Sequence, residues 1–238
     1  MQLLQKMIDQ GKRVFVFLGE SGSGKSEVAI NWALMLAATG KAVRFFDMDQ
    51  TKPLFRSREL GQLLQQNQIV IDEHRQFLDS PTVPPGVYDR IENDDAYVIL
   101  DVGGNATGAR SIGQLYAAWG DSASAYMVMN YYRPFSGNPK ALLVTMESIA
   151  AAARLDNIQV ISSPHFGKQT TLEDIVTGHK ATELLLKNTR YSMDILAVLK
   201  NFEQEAQTAF PKVGILGITR YIKATWEVEY EQLVQKEE

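Results

Sequence analysis

Residues 14–26 constrain the fold of this chain more than any other stretch: Val14-Phe15-Val16-Phe17-Leu18 runs straight into Gly19-Glu20-Ser21-Gly22-Ser23-Gly24-Lys25-Ser26. Five apolar residues without polar alternation predict a strand covered on both faces, which belongs in a parallel sheet. Downstream, Val28, Ile30, Ala33, Leu34, Leu36 and Ala37 fall within a helical stretch that stops at Gly40. The octapeptide between them has the form G-x-x-x-x-G-K-[ST]. Its glycines let successive backbone N–H groups turn inward around phosphates, its lysine reaches the β- and γ-phosphates, and its hydroxyl sits on Mg²⁺. The expected nucleoside triphosphate site therefore comprises Gly19, Glu20, Ser21, Gly22, Ser23, Gly24, Lys25, Ser26 and the adjoining Glu27. Lys25 is also expected to be catalytic.

The remainder of the chain alternates apolar strand-like runs with helical patterns, which predicts an α/β fold: a doubly wound, mostly parallel sheet of seven or eight strands with helices on both faces. Strands are expected at 42–46 (ending at Asp47), 69–71, 97–100, 125–129, 158–161, 193–199 and 213–218. Helices are expected near 57–66, 138–154, 171–187 and 222–235. Residues 79–86 hold three of the eight prolines and predict a surface loop. At 238 residues the chain is expected to form one nucleotide-binding domain, 1–238.

Composition narrows the function classes. With 24 basic and 28 acidic residues the net charge is -4, so no global positive field draws the chain to nucleic acid or anionic lipid. Aromatic residues do not interleave with a basic run, and no nucleic-acid surface is expected. The sequence has no cysteine, which removes disulfides, thiol catalysis and thiolate metal sites. His74, His165 and His179 show no metal-ligand spacing. No signal peptide or bilayer-spanning stretch is evident, and a cytoplasmic protein is expected. The glutamate-rich C-terminal stretch 227–238 lacks the cationic face of a membrane-binding helix.

Two further motifs bear on chemistry. The strand at 97–100 is followed by Asp101-Val102-Gly103-Gly104, the form of a Walker-B aspartate with a D-x-x-G turn. Asp101 can order the water shell of Mg²⁺, and the Gly104 amide can sense a γ-phosphate. Asp47-Met48-Asp49 closes the second strand. Two carboxylates there repel one another unless a cation lies between them; Asp49 is assigned to orienting or deprotonating the attacking water, and Asp47, with Ser26 and Asp101, to the metal. A solvated acidic turn, or a helix cap ahead of Lys52-Pro53, is the other interpretation of this pair. Asn130, Arg133 and Phe135 follow the strand at 125–129 and are favoured as an ordinary structural turn over lining for the nucleotide pocket or a partner groove.

A phosphate loop near the N-terminus, Asp-x-Asp after the second strand and Asp-x-Gly-Gly after a later one together resemble the MinD/ParA/CobQ-type (SIMIBI) branch of P-loop NTPases. Gly22 to Glu27, Phe55 to Glu59, Asp101 to Gly104 and Asn130 to Phe135 resemble a bacterial ATP-binding subgroup within it. The resemblance implies ATP, Mg²⁺, slow hydrolysis and a conformational switch communicated to a partner. Regulatory members of the branch carry a lysine after the first glycine that reaches across a nucleotide-sandwiched homodimer; here the position is Glu20, which cannot neutralise phosphate. Arg56 or Arg58 is a candidate replacement, against surface arginines at a helix start. Where many relatives place an asparagine for the base, this chain has Ser162-Ser163-Pro164-His165, and no N-K-x-D sequence supports a GTPase. The expectation is a Mg²⁺-dependent ATPase acting as a nucleotide switch for a protein partner or for cofactor-enzyme maturation. The alternatives are an ATP-dependent small-molecule synthetase or kinase and, least favoured, an ATPase that positions membrane or DNA.

Overall fold

The first strand, β1 (Val14–Leu18), is buried along its whole length. In the computed structural model, which describes residues 11–48, 58–72, 86–93, 95–103, 106–133, 139–155 and 157–222, β1 lies inside an eight-stranded sheet. The other strands are β2 (Val43–Met48), β3 (Ile69–Asp72), β4 (Tyr97–Val102), β5 (Ala123–Met129), β6 (Ile158–Ser162), β7 (Ser192–Leu199) and β8 (Gly214–Ile218). Their order is β3-β2-β4-β1-β5-β6-β7-β8, and every pairing is parallel. Parallel neighbours require crossovers. The α-helices that supply them are α1 (Lys25–Ala37), α2 (Arg58–Gln66), α3 (Val87–Asn93), α4 (Ala106–Gly113), α5 (Tyr116–Trp119), α6 (Pro139–Ala153), α7 (Leu172–Leu186) and α8 (Glu203–Ala209).

Side chains alternate across β1 and so divide the core. Phe15 and Phe17 face α1 and α2, packing with Trp32, Leu64, Ile99 and Tyr126. Val14, Val16 and Leu18 face Ile91, Ile112, Leu142 and Met146 on the opposite side. Trp32 is the hub of the first layer, with ring centroids 5.8 Å from Phe15, 5.5 Å from Phe17 and 5.2 Å from Tyr126. Both faces of α1 are occupied, so it reads as apolar almost all round rather than amphipathic. It ends as Gly40 takes φ +83° and donates its N–H to Ala37 O at 2.9 Å.

The sheet extends further than apolar runs predict. Pairing carries β2 through Met48 and β4 through Val102, which puts Asp47 and Asp101 inside the ladder as register partners. The short helices α3, α4, α5 and α8 were absent from the sequence expectation. The expected loop at 79–85 and helix at 222–235 lie almost entirely outside the described residues.

Candidate functional site

The C-terminal end of β1 turns into α1 through a loop that needs glycine. Gly22 has φ +80° and Gly24 φ +87°, the left-handed region that costs other residues roughly 1–2 kcal/mol. Space is equally restrictive. A Cβ at Gly22 would lie 2.6 Å from the Arg133 guanidinium carbon, and one at Gly24 would lie 3.1 Å from both Ser163 Oγ and His165 Nε2. Gly24 occupies the N-cap of α1, and no side chain caps that end, so the first-turn amides and the positive end of the helix face the loop. The loop closes on itself through Ser23 N–H to Glu20 O at 3.1 Å.

Lys25 is the first residue of α1 and only 5% exposed. Its Nζ lies 2.5 Å from Oδ1 of Asp101, which is 0% exposed, and 3.4 Å from Ser26 Oγ. Asp101 pairs with Phe17 in β1 and Asp47 in β2. Since Phe17, Phe45 and Ile99 belong to the layer beneath α1, strand alternation puts Asp47 and Asp101 on that same face, towards Lys25 and Ser26. One hydroxyl and two carboxylates are hard oxygen donors suited to Mg²⁺. Among the described residues no group of three or more His, Cys, Asp or Glu converges as a metal site, so an ion here would complete its shell with phosphate and water, as Mg²⁺ commonly does.

Two loops close over the glycine turn, and Asn130, buried after β5, ties them together. Its Nδ2 donates to His165 O at 2.9 Å, while its Oδ1 accepts from His165 N at 3.2 Å and from Tyr132 N at 3.1 Å. Arg133 N donates to Asn130 O at 3.1 Å, and Arg133 Nε donates to Gly22 O at 2.8 Å. Tyr132 anchors the turn by donating to Asp174 O at 2.7 Å and packing on Phe166, centroids 4.2 Å apart. Burial first, and then the Arg133 charge, lower the His165 pKa to about 4, with the Ser23 backbone opposing them. The ring is therefore neutral at neutral pH. Ser23 Oγ, Ser162 Oγ and His165 Nε2 are buried with no hydrogen-bond partner among the described residues. Of these, Ser23 Oγ lies against Gly19 and His165 Nε2 against Gly24, and orphaned polar atoms at an amide-lined turn fit a polar, anionic ligand.

The segment after β8 is held to α1 by two polar residues of that helix. Glu27 accepts N–H bonds from Tyr221 at 2.9 and 3.0 Å, one to each carboxylate oxygen, and from Ile222 at 2.7 Å. Asn31 donates to Thr219 O and accepts from Thr219 N, both at 2.9 Å. Burial outweighs those bonds and raises the Glu27 pKa above the usual carboxylate value. Glu20, also raised by burial, lines a narrow cleft of about 20 Å³, room for about one water, with Met127, Met129, Arg133, Leu142 and Met146.

The structure thus brings Gly19 through Ser26, Asp47 and Asp101 to one end of the sheet, where open α/β sheets bind ligands. The Glu27 carboxylate is turned away from the turn, towards residues 221 and 222. Asp49, Gly104, Phe135 and Arg56 lie outside the described residues, and nothing is described of the Arg58 side chain at the start of α2. The sequence favours a structural turn over pocket lining for Arg133, which the structure instead sets against the glycine turn, and it does not show the Glu27–Asn31 clamp. The one local signal for the clamp is a pair of polar residues four apart on a helix that is otherwise apolar beyond Ser26.

The profile of the CobQ/CobB/MinD/ParA nucleotide-binding domain matches residues 5–235. Among solved structures, the cell division protein FtsY from Thermotoga maritima is 14% identical over 83% of this chain and 68% of that one, with a TM-score of 0.55. FtsY from Mycoplasma mycoides is 15% identical over 82% and 67%, with a TM-score of 0.50. A nucleotide-binding protein from Archaeoglobus fulgidus in complex with ADP is 17% identical over 87% and 90%, with a TM-score of 0.46. No curated protein sequence matches the chain. Among the described residues no helix is long and apolar enough to cross a membrane.

Proposed function

The chain belongs to the CobQ/CobB/MinD/ParA family of nucleotide-binding domains, and from that premise we propose that it binds Mg²⁺·ATP at residues 19–27 and hydrolyses it slowly as a nucleotide switch. The observation that carries this reading is the buried Lys25–Asp101 pair beside the left-handed Gly22 and Gly24. A lysine in that position is already inside the amide-lined turn, and a phosphate oxygen arriving there takes the place of the Asp101 carboxylate as its partner. Asp101 is then released towards a metal, with Ser26 and Asp47. Mg²⁺ would supply charge neutralisation and fix the geometry of the triphosphate. Asp49 is assigned to orienting the attacking water. ATP is preferred to GTP because the sequence has no N-K-x-D motif; Ser162, which ends β6, and Ser163 after it can bond a base but do not select adenine over guanine.

Glu20 replaces the cation that sandwich dimers of the branch insert into the partner site, so hydrolysis is proposed to proceed without that exchange. The switch is read by a protein partner or by a cofactor-maturation enzyme. A second reading is an ATP-dependent synthetase or kinase, but the cleft beside Glu20, at about 20 Å³, has no room for a metabolite in this state, so the switch is preferred. Calorimetric titration with Mg²⁺·ATP and Mg²⁺·GTP, followed by ADP release with and without a metabolite panel, tests both readings. Micromolar-to-millimolar ATP affinity with an unstimulated slow rate supports the switch, metabolite-stimulated release supports the synthetase, and no affinity for either nucleotide defeats both.

A further inference from the structure

Lys25 is the only cation that the phosphate-loop motif itself contributes, and Glu20 adds a negative charge to the same loop. A triphosphate with about four negative charges calls for more than one lysine and a metal. We propose that Arg133 is a phosphate-chain contact supplied in cis, replacing the cation missing at Glu20. The inference rests on the nucleotide-binding reading above.

Three features place the guanidinium. Its Nε donates to Gly22 O at 2.8 Å, which, among the described residues, leaves both Nη groups, with four of the five guanidinium N–H bonds, to turn towards a ligand. Its carbon and Nε both lie 2.6 Å from where a Gly22 Cβ would be, so the charge rests directly on the glycine turn. The turn that presents it is rigid: Arg133 N bonds Asn130 O, and buried Asn130 is locked to the backbone of His165 and to Tyr132 N. A planar fork held at one edge by a carbonyl is preorganised for bidentate contact with phosphate oxygens. His165 beside it stays neutral, chiefly because it is buried and secondarily because the Arg133 charge is near, and so adds no second positive charge.

A purely structural role, Arg133 as a strut for Gly22, needs a hydrogen-bond donor but no charge. Arg133→Gln retains a donor and removes the charge, whereas Arg133→Lys retains the charge. Each variant is titrated with Mg²⁺·ATP and Mg²⁺·ADP at two salt concentrations, and its unliganded melting point is recorded. The expected result is a loss of about 10–30-fold in ATP affinity for Arg133→Gln with a flatter salt dependence, and an intermediate affinity for Arg133→Lys, both melting close to wild type. Wild-type affinity in Arg133→Gln, or equal loss in both variants, overturns the proposal and leaves the strut. If wild-type protein binds neither nucleotide, the binding reading itself fails and the Arg133 assignment falls with it.

Discussion

Removing Lys25 should damage the unliganded protein as well as its ligand binding, and the damage can be estimated. Asp101 is fully buried and its Oδ1 is 2.5 Å from Lys25 Nζ, with Asp47 alongside it in register. Lys25→Met therefore leaves a buried carboxylate facing another carboxylate, a loss of about 3–5 kcal/mol when one partner of a buried pair is removed. For a chain of this size that is a fall in melting temperature of roughly 6–20 °C, at about 2–4 °C per kcal/mol. Asp101→Asn strands the lysine in the same way. The double variant Lys25→Met/Asp101→Asn removes both charges and should lie within about 1 kcal/mol of wild type, because isosteric neutral replacement of a buried pair is often tolerated. Urea denaturation followed through Trp32, which is 0% exposed, gives all four stabilities. A coupling energy of at least about 2 kcal/mol is expected, whereas additivity within about 0.5 kcal/mol refutes the argument. The cycle also makes the double variant a folded, pair-free control for nucleotide binding, which Lys25→Met alone is not.

Other outcomes follow from the same site. His165 has a pKa of about 4 against an ordinary 6.5, so its contribution to stability is complete above 6.5 and is lost as pH falls through 4. That contribution is on the order of 2–3 kcal/mol after allowance for partial exposure, and His165→Gln should flatten this slope in melts between pH 7 and 4. Glu27→Ala leaves the amides of Tyr221 and Ile222 without their acceptor, a loss of about 2–4 kcal/mol, and should speed amide exchange at residues 219–222. Because the Glu27 pKa is raised, its contribution is greatest below 4.5 and declines as pH rises through the folded value; Glu27→Gln should abolish that trend. Gly22→Ala combines a strained φ of +80° with a Cβ in the place of the Arg133 guanidinium. It should destabilise by roughly 1–2 kcal/mol from backbone strain alone and weaken nucleotide binding, as a melt and a titration will show.

What could be read in the sequence was local. The unalternating residues 14–18 announce a doubly covered strand, and the glycine spacing of 19–26 announces the turn. The ends of β2 and β4 announce their acids, although only the parallel register shows that Asp47 and Asp101 are neighbours. What could not be read depends on contacts between distant segments. Arg133 meets Gly22 across 111 residues, and Glu27 meets Tyr221 across 194; no periodicity connects such pairs. Arg133 looks like loop chemistry because Pro134 follows it, and Glu27 looks like part of the phosphate loop because Ser26 precedes it. Helices α3, α4 and α8 escaped for a different reason. At seven or eight residues they span about two turns, too few for a helical period to emerge, and their stability comes from packing on the sheet.

Lys25 and its glycine turn are proposed to hold the phosphates of a nucleotide. Isothermal titration of Mg²⁺·ATP into wild-type protein and into the folded Lys25→Met/Asp101→Asn variant decides the matter. Saturable binding in the micromolar-to-millimolar range by wild type, with none by the variant, is the predicted result. Equal binding by the two proteins, or no binding by wild type, would contradict it.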